Sequence, residues 1–589
     1  MNNTHEDNNL IRADGSSEDE AKIDEILADK ELMAKIMADR KKSSGDSDEP
    51  ERRMKINQEA IAIVATSLVF FVLGLFIISP LVEFFCRMID AASDPKWTIG
   101  LNYGIDSKKF VSNYQHTIQN INILVHLTAA FLYVYSGYRI VTGWKRIKKN
   151  IKAELSRLLP FLIFILFDVM IIVVTNVRGF NEYDRTGHPY MFESIYSYIL
   201  YPLAYFFCGM MVYKDRQRKI ILYALMVTAL PLNILALVDE WVSPIKYFAT
   251  NGVVTVFHNS NHYGYYLALI IITSALLFTC EKKIWLKIFE LISMALGVVV
   301  LIINNTLGAY LAVGFVLGLY LIYNIVMKIK SSRVVVENYE ADEEVQAVSS
   351  VAENPDADDD KRAVLGVAEK SDAAENDKQT VLGVDENPDA AGKSKHAAAA
   401  EESRQAAAKK PQYISIKKAA IVLGLFLLIT IVMSIKYKTV TQSVTTMVSD
   451  VGDVLENPTS ETVERAGSGR WILWKGAFKH ILEEPILGFG VEGLLNTYMI
   501  GTPHNELLQY AEFFGVPVML LYVAACLTVL WRVIRNSAKM SGSTMVCFFV
   551  TIGYLASSFF GVAIYYTTPF LYIFLGLTYA EYFKMSAPE

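Results

Sequence analysis

Long apolar runs separated by short basic connections set the pattern of this chain. The runs fall at approximately 59–82, 118–140, 157–176, 193–213, 220–240, 261–280, 284–303, 307–328, 416–436, 516–534, 543–563 and 568–584. Each is close to the ~20 residues an α-helix needs to cross a hydrocarbon core. In lipid, backbone N–H and C=O groups have to be satisfied within the segment, and an apolar helix does this. The pattern predicts an all-α, polytopic membrane protein with about 12 transmembrane helices.

Two polar stretches break the pattern. Residues 1–57 are charged, and Ile23, Ile26, Leu27, Ile36 and Met37 have rough helical spacing. This predicts a surface helix over 19–42 in an otherwise disordered segment. Residues 331–412 are rich in Ala, Asp and Glu and contain degenerate repeats. Val364, Leu365, Gly366 and Val367 recur as Val381, Leu382, Gly383 and Val384, and the Glu-Asn-Pro-Asp-Ala at Glu353 recurs at Glu386. Units this short and polar cannot stack a core, so a disordered linker is expected. The organisation is then an N-terminal segment 1–57, helices one to eight in 58–330, the linker 331–412, and helices nine to twelve in 413–589 with a long loop at 437–515.

Lys and Arg orient the bundle. Lys145, Arg146, Lys148, Lys149, Lys152 and Arg157 crowd one connection. Lys214, Arg216, Arg218 and Lys219 crowd the next alternate one, followed by Lys282, Lys283 and Lys287. Lys328, Lys330, Lys417, Lys418, Arg532, Arg535 and Lys539 fall on the same side. The positive-inside rule makes that side cytoplasmic. Both termini are expected inside, and 83–117, 177–192, 241–260 and 437–515 outside.

Composition agrees: 53% of the 589 residues are hydrophobic and 20% charged, with mean hydropathy +0.29. The net charge of −6 says little, because the charges are unevenly placed, and no nucleic-acid partner is expected. The five cysteines lie in or beside apolar runs and form neither a disulfide framework nor a metal-ligand cluster. Neither a metal nor a cofactor is expected. The first apolar run begins near Ala60 and is expected to be an anchor rather than a cleaved signal.

The outer loop carries the chemistry. Arg470 precedes a stretch in which Trp471, Trp474, Phe478, Ile481 and Leu482 recur at helical spacing, with Lys475 and Lys479 between them. This predicts a helix in the membrane interface with its aromatics among the headgroups. Pro485 to Gly490 reads as a turn with two flexible glycines. Thr502 and Pro503 then read as the cap and first position of a helix ending at Gly515, which places His504 in its first turn. The helix dipole disfavours an imidazolium there, leaving a neutral ring that can accept a proton.

These pieces resemble the O-antigen ligase and polymerase family. The matching elements are Gly469, Arg470, Trp474, Pro485, Gly488, Gly490, His504, Asn505, Glu512 and Gly515. Gly252, Phe257, Asn259 and Asn261 resemble an earlier family element. Where members often carry Ser-Arg-Gly before the eighth helix, this chain has Asn304, Asn305, Thr306, Leu307 and Gly308.

The resemblance implies a glycosyltransferase of the bacterial cytoplasmic membrane. It would move glycan from an undecaprenyl-diphosphate carrier to an acceptor hydroxyl at the outer face. The acceptor is a glycan or a lipid, and membrane lipids and other polysaccharide-assembly proteins are the further partners implied. Arg470 would bind the diphosphate, with Arg178 and Arg185 as second clamps. His504 would be the base, and Asn505, Asn259, Asn261 and Trp474 would contact substrate.

The ordinary alternatives are an exposed histidine, an arginine snorkelling to headgroups, solvated loop arginines, asparagine caps and tryptophan anchors. Polymerising repeat units is the preferred activity. Ligation of finished glycan to lipid, protein or wall is the alternative. A lipid-linked glycan flippase or transporter, and a membrane scaffold or sensor, are rivals from other classes.

Overall fold

A computed structural model describes residues 150–186, 194–241, 259–352, 415–437, 439–456, 469–491, 502–564 and 567–587, with Lys148, Phe257 and Gly493. All lie in the compact unit Val69–Glu589. The N-terminal segment, the runs at 59–82 and 118–140, the repeats of the linker and His258 lie outside the described residues.

The described elements are helical. They are α1 (Ile151–Arg178), the short α2 (Glu182–Thr186), α3 (Ile195–Met211), α4 (Asp215–Trp241), α5 (Ser260–Cys280), α6 (Ile284–Asn304) and α7 (Leu307–Ala352). Beyond the linker come α8 (Ile416–Tyr437), α9 (Thr439–Glu456), α10 (Arg470–Glu483), α11 (Glu506–Phe514), α12 (Val516–Arg535), α13 (Gly542–Ser558) and α14 (Thr568–Met585). Among the described residues, seven helices are long and apolar enough to span a membrane: α1, α4, α5, α6, α7, α8 and α12. The apolar α3 and α13 are shorter.

The distribution of apolar surface fits a bilayer. In α1, Phe161, Phe164, Phe167, Ile171 and Val174 are buried, while Leu155, Leu162, Leu166, Val169, Val173 and Val177 are exposed on the other side. Exposed apolar stripes of this length are unusual on a protein in water and ordinary on one facing lipid. α5 is apolar all round and buried along nearly its whole length, so it is the central helix. It packs on α6, α7 and α13, while α3 and α14 form the closest pair elsewhere. Arg218 at the start of α4 is buried and donates to Ser541, Ser543 and Glu581, which ties α4 to α13 and α14. This member of a basic connection is therefore committed to the fold.

Two features differ from the sequence reading. α7 continues to Ala352, well into the stretch assigned to a disordered linker. The Glu, Ala and Gln residues between Glu337 and Ala352 favour helix locally, and a helix already nucleated by a span extends at little cost. The loop after α8 also opens with α9, whose apolar Val440, Val444, Val448 and Val451 are spaced near one turn apart. Valine and threonine dominate α9, so propensity alone gave little sign of a helix.

Candidate active site

α10 starts at Arg470, after Gly469 in the left-handed region at φ 81°. Leu473 and Ala477 are buried, and Ile472 and Leu508 pack on them, joining α10 to α11. Farther along, His480 Nδ1 lies 3.0 Å from Glu512 Oε1. Arg470 is felt electrostatically by His504, which precedes α11. Start therefore meets start and end meets end, so the two helices run in the same direction. Their positive N-terminal ends face one locus, which favours an anion.

The Pro485–Gly490 segment opens as the expected turn and creates this parallel arrangement. It returns the chain along the end of α11 as a backbone zipper: Phe489 N donates to Glu512 O (2.7 Å), Gly490 N to Phe513 O (2.9 Å), and Val516 N to Pro485 O (2.8 Å). The approach is close enough to require glycine. A Cβ on Gly488 would lie 2.7 Å from Glu512 O, and one on Gly515 would lie 2.1 Å from Ile486 O. Gly515 also has φ 88°. Gly515→Ala should therefore destabilise the protein by about 2–4 kcal/mol through clash and strain. Thermal unfolding in detergent should show a clearly lower Tm, whereas Gly424→Ala, with nothing near its added carbon, should not. An unchanged Tm for Gly515→Ala would sink the zipper.

Arg178, at the end of α1, holds this unit in place. It donates to Phe513 O (3.0 Å), Leu487 O (3.3 Å) and Asp184 Oδ2 (2.7 Å). Asp184 is buried and also accepts from Val491 N (3.1 Å). Arg178 is thus bound to protein rather than available as a second clamp or solvated in a loop. Arg185 is exposed and sits over the Phe180 ring at 5.5 Å.

The helix around His504 begins later than its sequence suggests. Asn505, not Thr502, is the N-cap, and its side chain accepts from Leu508 N at 3.1 Å. His504 lies just before the cap, in the left-handed region at φ 51°. That conformation is strained for a residue with a Cβ. Burial, and secondarily the Arg470 charge, lower its pKa to about 4. The expected neutral imidazole is there, but desolvation and Arg470 cause it rather than a place in the first helical turn. Glu506 points away into the bundle toward Tyr522 (3.2 Å), and burial pushes its carboxyl up to about 7.

A third helix start joins them. Asn259 caps α5, accepting from Asn261 N at 2.8 Å, and the part-exposed Asn261 lies in the first turn. From α5, Tyr265 interacts with Arg470 and His262 lies within electrostatic range of His504. In the sequence His262 reads as an interface residue, and Tyr265 belongs to no motif that would single it out. Thr306 donates to Ser260 O (2.9 Å), so the turn that departs from the family pattern packs under this same helix start. Trp474 meets Phe559 edge-on at 5.8 Å instead of facing lipid, while Phe478 and Leu482 are exposed as an anchor requires. The indole N–H groups of Trp471 and Trp474 are buried with no acceptor among the described residues.

No curated protein matches the chain. Residues 409–523, which run from α8 into α12 with Arg470 and His504 inside them, match the model of the O-antigen ligase family.

Proposed function

We propose that the chain is a membrane glycosyltransferase that transfers glycan from undecaprenyl diphosphate to an acceptor hydroxyl on the outer face of the bacterial cytoplasmic membrane. The supporting observation is the meeting of Arg470 and His504 where the N-terminal ends of α5, α10 and α11 converge. A lipid diphosphate gains negative charge as it leaves. A guanidinium flanked by helix starts is suited to take up that charge. The acceptor oxygen bonds to the anomeric carbon, and the bond from that carbon to the diphosphate oxygen breaks with its electron pair. The acceptor proton passes to neutral His504. We read Trp474 and the part-exposed Asn261 as sugar contacts, and the exposed Arg185 as the contact for a second charge. Asn505 and Asn259 serve by capping the helices that aim the site.

Incubating the purified protein with a lipid-linked glycan and an acceptor tests the reading directly, and absence of transfer overturns it. Polymerisation of repeat units is the activity we favour over ligation. In a deletion strain, loss of long chains with single repeats retained supports it, and long chains accumulating on the carrier support a ligase.

One observation favours a flippase instead. Asp168 is buried inside α1 with no hydrogen-bond partner for either carboxyl oxygen among the described residues, as expected along a transport path. Asp168→Asn should leave transfer intact, and lipid-linked glycan translocation abolished by it in liposomes would favour the transporter.

The site also has to face outward. A cysteine placed at Gly467 should react with a membrane-impermeant maleimide added to intact cells with a permeable outer envelope. Reaction only after the cytoplasmic membrane is broken would remove the outer-face site.

A further inference from the structure

One side-chain pair between α10 and α11 is left unused by the proposed chemistry. Glu512 is fully buried, and its single side-chain partner among the described residues is His480, which keeps only 12% of its side-chain exposure. The imidazole also stacks on Phe489, with ring centroids 4.3 Å apart and planes 24° from parallel. Phe489 N in turn donates to the backbone oxygen of Glu512. Three segments, α10, the zipper and α11, thus close on one point. Whichever group carries the proton, one hydrogen bond joins them.

A half-satisfied buried carboxyl is a poor way to fill space. An apolar side chain of similar volume would avoid the cost of desolvation. A hydrogen bond, however, fixes distance and direction, which apolar packing does loosely. The place where this matters is the other end of the two helices. Arg470 is ten residues before His480 along α10, about 15 Å of helix. A one-residue slip of α10 at the pair would move Arg470 by about 1.5 Å and turn it by about 100°. Misplacement on the order of 1 Å can cost about 100-fold in rate.

We propose that Glu512, acting through His480, is a positioning residue that fixes the register of α10 against α11 and thereby the placement of Arg470 relative to His504. This rests on the reading of those two residues as the working groups of the site.

The test uses the full chain in proteoliposomes with a lipid-diphosphate-linked glycan as donor. Glu512→Leu should lower kcat by about 30- to 100-fold with donor KM changed by less than about threefold. Glu512→Gln keeps an acceptor oxygen for His480 and should stay within about threefold of wild type. In a His504→Ala background, Glu512→Leu should cost less than about twofold more, because positioning has nothing left to position. Register is read separately by the disulfide yield of a Leu473→Cys, Leu508→Cys pair, which should fall with Glu512→Leu and recover with Glu512→Gln.

An unchanged kcat for Glu512→Leu, a full further loss in the His504→Ala background, or an unaltered disulfide yield would each overturn the proposal. If the wild type transfers nothing while the disulfide yield responds as stated, the glycosyltransferase reading falls and the positioning of the helices stands.

Discussion

His504→Gln should abolish glycan transfer while the protein remains inserted and still binds its lipid-linked donor. An amide keeps a hydrogen bond but cannot take the acceptor proton, so the loss should reach about 100- to 10,000-fold. The pH profile adds a signature with a definite sign. Burial and Arg470 hold the His504 pKa at about 4 in the free protein, so the ring is neutral throughout the neutral range. The acid limb of kcat/KM, which reports the free enzyme, should then fall near pH 4 and not near 6.5. Once a diphosphate sits beside Arg470, its negative charge offsets the guanidinium and favours the imidazolium. The acid limb of kcat should therefore lie at higher pH than that of kcat/KM. A His504→Gln variant working at near wild-type rate would make His504 a structural residue.

Arg470→Lys should be almost as damaging as Arg470→Ala. Both remove the forked donors, and lysine restores only a point charge on a differently shaped stem. The expected loss of transition-state stabilisation is about 2–4 kcal/mol, or roughly 30- to 900-fold in kcat. The neighbourhood sharpens the case, since Tyr265 of the central helix interacts with the same guanidinium. A lysine would not reproduce its fixed plane. Full activity of Arg470→Lys, measured with purified protein and lipid-linked donor, would leave Arg470 a headgroup anchor.

The spans were legible because lipid imposes one rule on every crossing residue. Runs at 157–176, 261–280, 284–303 and 416–436 fall on α1, α5, α6 and α8 with small shifts at their ends. The count of twelve is not shown, because seven helices meet the length and apolarity required among the described residues. α10 and α11 were legible as helices from the spacing of Trp471, Trp474 and Phe478 and from Gly515. Their parallel pairing was not, because it depends on contacts between backbone atoms of Phe489 and Glu512 that leave no periodic trace. The role of Arg178 was hidden for the same reason. An arginine after an apolar run reads as a loop charge, and only the fold brings Asp184, Leu487 and Phe513 around it. The glycines of the zipper stood out in sequence, yet as supposed flexible points, when their real property is the absence of a Cβ.

The extension of α7 has a consequence for the acidic stretch that follows it. The apolar part of this helix ends at Ser332, and the helix continues to Ala352. Twenty further residues of α-helix cover about 30 Å. At physiological ionic strength a charge is screened over about 8 Å. The end of α7 at Ala352 thus lies several screening lengths along the helix from Ser332. One helix therefore both forms a span and carries the chain about 30 Å along its axis past its apolar part before the acidic stretch begins.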